Sequence, residues 1–432
     1  MSGREDISAY LYFGYRPAPG DDLAWVSAPC AEAVPDRAFT PSEAGGILDT
    51  VVDALLRARP SGGQCVIPLS GGWDSRILLG AVMARVDRKE IVTVTFGTPG
   101  QLDFEIGRRL ARHFGLAHHA LDLSAVDITW DALLDAARAS PWSYVPDGYF
   151  NRLAVSRVAC SPRDVVWSGF LGGPLTGTHV ARAATWRDAV DRFVAGQRRV
   201  PHLWLPPPGY DPRRALPPLP DGAAVTYGEL LNLGVRQTRC IASLLTPQPT
   251  WRGWGGGMGR LAATGATVLA PFAAKDWAAY WLGAPDALKR GQRLYLQMMR
   301  HRFPELAAMP GKASRGLSPR NRLGAFCMRA QGVARRQVHR RWPRLPIRSR
   351  AIDNYVDYQA AFRNRTDYIA VAEQALEVLA RRDAVPWLDL DRIWREHRRG
   401  RRDHAKALLV LLGLAVNLEG EDRAPQGASA PS

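Results

Sequence analysis

Apolar positions in this chain first cluster in short runs and later spread into long helical stripes. Residues 65–69 (Cys-Val-Ile-Pro-Leu) and 91–96 (Ile-Val-Thr-Val-Thr-Phe) are continuous runs of strand length, and further strands are read near 119–123 and at 164–168. Between and around them the spacing opens to three and four, which predicts helices over 46–59, 75–86, 103–114, 129–138 and 149–159. Strands alternating with helices on this scale predict an α/β fold with a doubly wound parallel sheet. Ligands of such sheets bind beyond the carboxyl ends of the strands, where Ser70, Phe96 and Ser168 fall.

Eight prolines between 201 and 220 then interrupt any regular element and read as a semi-rigid connection. Beyond them the helical spacing returns over 226–245, 272–282, 291–302, 366–381, 388–398 and 403–416. The expected organisation is therefore an N-terminal extension or linker (1–45, with an apolar patch at 7–15) and a sheet domain (46–200). A Pro-rich linker (201–225), a mainly helical part completing the same cleft (226–418) and a disordered Gly/Ala/Pro/Ser tail (419–432) follow.

The junction after the first strand carries the chemistry. Leu69-Ser70-Gly71-Gly72-Trp73-Asp74-Ser75 leads from a strand through two glycines into a helix that begins with an acid and a hydroxyl. Glycines there allow unusual φ values and close approach of a ligand to the backbone. Successive N–H groups at a helix N-terminus form an anion-binding concavity. Ser70 and Ser75 add hydroxyls, and Asp74 is placed to hold a magnesium ion against phosphate oxygens. The ligand implied is a nucleotide polyphosphate. The Walker pattern is excluded, because no lysine follows the glycines and the loop is too short.

The pattern Ser-Gly-Gly-x-Asp-Ser at 70–75 resembles the pyrophosphate loop of the N-type ATP pyrophosphatases, and four further segments resemble the synthetase domain of asparagine synthetase. Thr95-Phe96-Gly97-Thr98, followed by Asp103 and His118-His119, resembles the region lining the family's adenosine pocket. Trp167-Ser168-Gly169-Phe170-Leu171-Gly172-Gly173-Pro174 resembles its second phosphate-side loop, Ser-Gly-x-Gly-x-Asp-Glu, with Gly173-Pro174 in place of the acidic pair. Val268 to Phe272 with the following helix, and Phe303 to Lys312, resemble two later stretches, the second of which carries the family's α-phosphate lysine.

Carried over residue by residue, the resemblance implies an adenine nucleotide hydrolase-like sheet with ATP and magnesium as cofactors. Leu69, Ser70, Gly71, Gly72, Asp74, Ser75, Phe96, Ser168 and Gly169 would hold the nucleotide, Asp74 the metal, and Lys312 and Asp74 would serve catalysis. It implies AMP-forming activation of a small-molecule or peptide carboxylate and amide formation with an amine or ammonia. The resemblance covers roughly 47–320. About 60 residues precede the loop, and Ser2 stands where a glutaminase nucleophile would be Cys, so no glutaminase activity is expected. The Gly173-Pro174 departure keeps open a second reading, a catalytically altered nucleotide-binding member.

Composition adds limits. With 432 residues, 46% of them hydrophobic, the chain can bury a large core. It lacks an 18-residue apolar stretch, a signal-peptide pattern and any Cys-x-x-Cys among five scattered cysteines, which together predict a reduced, cytoplasmic protein. The net charge of +16 arises largely from arginines at 335–350 and 392–402. Such a surface suits an acidic partner or carrier protein, or solvated helix faces. An RNA-directed adenylating enzyme is a third reading, but few aromatics interleave these arginines, which argues against nucleic acid.

Overall fold

The computed structural model describes residues 3–16, 38–139, 141–142, 145–178, 185–215, 257–260, 264–312, 327, 330, 334 and 356–422. In the first half, strands β1 (Cys65–Pro68), β2 (Ile91–Gly97), β3 (Ala117–Asp122) and β4 (Val165–Trp167) alternate with helices. Those helices are α1 (Arg4–Phe13), α2 (Pro41–Arg57), α3 (Trp73–Met83), α4 (Leu102–His113), α5 (Trp130–Ala139), α6 (Val145–Ser156) and α7 (Trp186–Gln197). Strands β5 (Gly257–Arg260) and β6 (Thr267–Leu269) complete the sheet in the order β3-β2-β1-β4-β6-β5. Five strands are parallel, with Val66 opposite Val92 and Val166, and Val166 opposite Val268. Among the described strands only β5 runs antiparallel. The βα rhythm of the sequence is thus a doubly wound sheet, and successive strands depart on opposite sides of β1.

Beyond the sheet come α8 (Lys275–Gly283), α9 (Asp286–Lys289), α10 (Arg293–Arg302), α11 (Pro304–Ala308), α12 (Tyr358–Asn364), α13 (Thr366–Arg381), α14 (Leu390–Arg398) and α15 (Ala405–Asp422). Two cores result. The first packs α2, α3, α8 and α10 around the strands, and the second gathers α1, α5, α12 and α13 about α15. Helix α15 is buried around nearly its whole circumference, which explains its lack of amphipathic pattern. No helix among the described residues is long and apolar enough to cross a membrane.

Several boundaries differ from the sequence reading. Residues 4–13, expected within a linker, form α1, whose Tyr10 and Leu11 are buried in the second core. Helix α2 starts at Pro41, because Thr40 accepts a hydrogen bond from the Glu43 N–H and a proline fits the first turn. Helix α15 continues to Asp422, past the expected tail start at 419, since Glu419 and Gly420 are still buried. Strand β5 was unread because Gly257 and Gly259 carry no strand signal. The predicted helix 226–245, residues 216–225 of the Pro-rich linker, the rest of the tail and the arginines at 335–350 lie outside the described residues. Of the second arginine group, Arg392 pairs with Glu396, and Arg398 donates to backbone carbonyls of Phe362 and Arg363.

Candidate active site

The two sides of the sheet diverge between β1 and β4, so the loops leaving these strands face each other across one crevice. A cavity of about 330 Å³ opens there, lined by Leu69, Ser70, Gly72, Asp74, Ser75, Phe96, Gly169 and Lys312 with Pro68, Thr95, Asp103 and Asn151. A second, more apolar space of about 140 Å³ adjoins it through Pro68, Asn151 and Gly169 and is walled by Val155, Val166, Ser168 and Val268. Eight of the sequence-predicted residues thus line one cavity, Ser168 lines its neighbour, and Gly71 lies behind the wall.

Loop 69–75 is tied internally. The Ser70 N–H donates to Ser75 Oγ (3.2 Å), the Gly72 N–H to Ser70 Oγ (3.2 Å), and the Gly71 N–H to Asp103 Oδ1 (3.0 Å). The glycines are needed for room, a correction to the sequence reading. Gly72 has φ −77°, and neither it nor Gly71 is among the positive-φ positions. A Cβ on Gly71 would meet Ile106 Cδ1 at 2.9 Å and Asp103 Oδ1 at 3.0 Å, so the Ile106 and Asp103 side chains of α4 would have to give way to a side chain there.

Asp103 joins the loop to the later part of the chain. Its second oxygen accepts from Lys312 Nζ (2.8 Å), and the Lys312 N–H donates to Gly71 O (3.0 Å). The segment before Lys312 is fixed by Arg76, fully buried one residue after the loop, whose guanidinium donates to the carbonyls of Leu306 (3.4 Å), Met309 (3.1 Å) and Pro310. Burial lowers the Arg76 pKa to about 10, opposed by the nearby Asp103 charge. Of other cations in this part of the chain, Arg315 lies outside the described residues. Lys289 is buried, donating to Leu282 O (3.3 Å) and pairing with Asp286 (3.5 Å), away from the cavity lining.

Asp74 occupies the first turn of α3. Its Oδ1 accepts from Tyr295 Oη (2.8 Å) and its Oδ2 from the Gly173 N–H (3.1 Å). Burial pushes its pKa up to about 6, with the Tyr295 and Gly173 hydrogen bonds pulling the other way. The second loop presses directly on it, since a Cβ on Gly172 would lie 2.5 Å from Asp74 Cγ. Where the family pattern has its second glycine, Leu171 adopts a left-handed φ of 67° with its side chain buried. Thr176 stabilises the turn, donating to Gly172 O (2.7 Å) and accepting from Gln292 Nε2 (2.8 Å).

These contacts allow a magnesium site of limited kind. Asp74 keeps a second lone pair on each oxygen after accepting its two hydrogen bonds, both from neutral donors, whereas the charge of Asp103 is already paired with the Lys312 ammonium. Among the described residues no group of three His, Cys, Asp or Glu side chains could hold a metal. One carboxylate completed by phosphate oxygens and water suits magnesium, and the residues fit on that basis. His118 shares a hydrogen bond with Thr93 Oγ1 (2.9 Å), and burial lowers its pKa to about 4, as a neutral strand-edge residue requires.

Tyr295 and Arg76 were missed in the sequence. Tyr295 reads as core in an apolar helix, but Arg76 carries a local sign, a charge directly before the apolar run Ile77-Leu78-Leu79. Residues 46–155 match the asparagine synthase family. The matched segment runs from α2 nearly to the end of α6 and includes the loop, Phe96, Asp103 and Asn151, while Ser168, Gly169 and Lys312 lie beyond it. At the level of the family, the match supports a synthetase-type, ATP-dependent ligase domain.

Proposed function

We propose that the chain is an AMP-forming amide ligase, which adenylylates a carboxylate and transfers the acyl group to an amine or ammonia. One observation carries this reading: the sheet crevice brings Ser70, Gly72, Asp74, Ser75, Phe96, Gly169 and Lys312 to one cavity. The apolar edge formed by Pro68, Phe96 and the adjoining valines suits a purine base, and the serines and Gly72 suit its phosphates. Phosphate oxygens would take over the loop donors now bonded to Ser70 and Ser75. Magnesium, when bound by Asp74 and the nucleotide, supplies charge neutralisation to the pyrophosphate.

In the first step a substrate carboxylate oxygen attacks the α-phosphorus. The bond from that phosphorus to the bridging oxygen breaks, and pyrophosphate leaves with the electron pair. In the second, an amine attacks the acyl carbon of the acyl-adenylate, loses a proton, and AMP departs. Both steps build negative charge, which the Lys312 ammonium neutralises from its seat beside Gly71. The crevice adds rate by holding the acyl-adenylate and amine together. Small-molecule and peptide carboxylates, free or presented by an acidic carrier, are the substrate classes in view, in the cytoplasm.

A second reading, a nucleotide-binding member with altered turnover, is favoured by the Gly173 N–H standing against Asp74. Chromatography of nucleotide after incubation with candidate carboxylates and amines tests the two. AMP with stoichiometric pyrophosphate is expected; ADP would overturn the assignment, and unchanged ATP across a broad panel would favour the altered member.

A further inference from the structure

Asp74 is held by a residue that no loop motif supplies. Tyr295 comes from α10, 221 positions along the chain, and its hydroxyl donates to Asp74 Oδ1 at 2.8 Å. The ring is fully buried and has little freedom to move. It meets Trp281 edge-on at 5.7 Å, Trp277 at 6.3 Å and Phe272 at 6.3 Å. On the opposite side the Gly172 backbone leaves no room, and the Gly173 N–H fixes Oδ2. The carboxylate of a first-turn aspartate is thereby locked between an aromatic core and a second loop.

We propose that Tyr295 is a positioning residue for Asp74, orienting its remaining lone pairs toward the hard divalent cation of a metal–nucleotide complex. It provides by hydrogen bonding the fixation that a second loop carboxylate, absent at Gly173, would otherwise share. The proposal rests on the nucleotide-binding part of the reading above and not on turnover. A carboxylate that must find its own rotamer on binding loses the advantage of preorganisation, and a hydrogen bond to a charged group sets the scale of the loss at about tenfold.

The test is calorimetric titration of ATP with magnesium, and of ATP with a chelator, into the wild type, Tyr295→Phe, Asp74→Asn and the double variant. Tyr295→Phe keeps the ring and removes only the hydroxyl. It should weaken magnesium–ATP binding about tenfold while changing metal-free ATP binding less than about twofold. The double variant should bind like Asp74→Asn alone, because the hydroxyl acts only through the carboxylate. A merely structural role would weaken both nucleotide forms alike and add to the Asp74 effect, which would overturn the proposal. Unchanged or tighter magnesium–ATP binding by Tyr295→Phe would overturn it as well, while the nucleotide site itself stood. A wild type that binds no nucleotide would overturn both, and coupling without turnover would sustain this proposal while removing the ligase reading.

Discussion

Replacing Asp74 by Asn should raise the stability of the ligand-free protein even as it damages nucleotide binding. The Asp74 carboxyl titrates near 6 in the fold against 3.8 when unperturbed, because burial disfavours its charge. A folded-state pKa raised in this way means that the native protein holds the proton more tightly than the unfolded chain. The penalty is therefore absent below pH 3.8, grows between about 3.8 and 6, and is complete above, where it amounts to about 3 kcal/mol. Asparagine removes the charge but supplies only one acceptor for two donors. The Gly173 N–H can keep the amide oxygen, and the Tyr295 hydroxyl can turn to accept from the amide, with a residual loss of about 1 kcal/mol. The net gain at pH 8 is about 2 kcal/mol, or roughly 2–4 °C in Tm for a chain of this size. By pH 5 the wild-type penalty falls to about half, so the advantage should shrink to about 0.5 kcal/mol. Differential scanning of both proteins from pH 5 to 8 measures this. A Tm difference independent of pH, or a variant less stable at pH 8, would refute the reasoning.

Two further substitutions probe the frame around this residue. Arg76→Met leaves the carbonyls of Leu306, Met309 and Pro310 without their buried donor; it should destabilise by about 2–4 kcal/mol and open residues 306–312 to protease, and a variant with wild-type Tm and digestion pattern would contradict this. Gly173→Asp places a new Cβ 3.7 Å from Asp74 Oδ2, with Thr178 Oγ1 at 2.9 Å having to give way. The added carboxylate should lower the magnesium concentration needed for half-maximal ATP binding several-fold, on the order of the gain from one more hard oxygen ligand. An unchanged requirement would mean that Pro174 holds the loop away from the ion.

The elements legible in the sequence are those whose pattern is local. Helix α13 begins and ends at the predicted residues because its apolar stripe is uninterrupted, and β1 and β2 are unbroken apolar runs. The loop was legible because its glycines, acid and hydroxyls are adjacent in the chain. What stayed hidden is tertiary. Asp103 was read as opening a helix, yet it links Gly71 to Lys312. Tyr295 looked like one more core aromatic because its ring is one, and only the hydroxyl, meeting a residue 221 positions away, has another task. Gly71 was assigned a conformational role, whereas crowding by Ile106 and Asp103 decides it.

The packing of α1 against α15 has a consequence for biosynthesis. Asn417 donates to Tyr10 Oη at 3.5 Å, across 407 positions, and Tyr10 also lies against Gly413, where any Cβ would fall 2.3 Å from its hydroxyl oxygen. At about 5–20 residues per second, Tyr10 and Leu11 wait roughly 20–80 seconds for α15 to emerge from the ribosome. Throughout that interval these two side chains lack the α15 surface that covers them in the finished fold. The amino-terminal helix therefore completes its packing only when nearly the whole chain has been made, so its exposure during synthesis is set by chain order and not by the equilibrium stability of the folded protein.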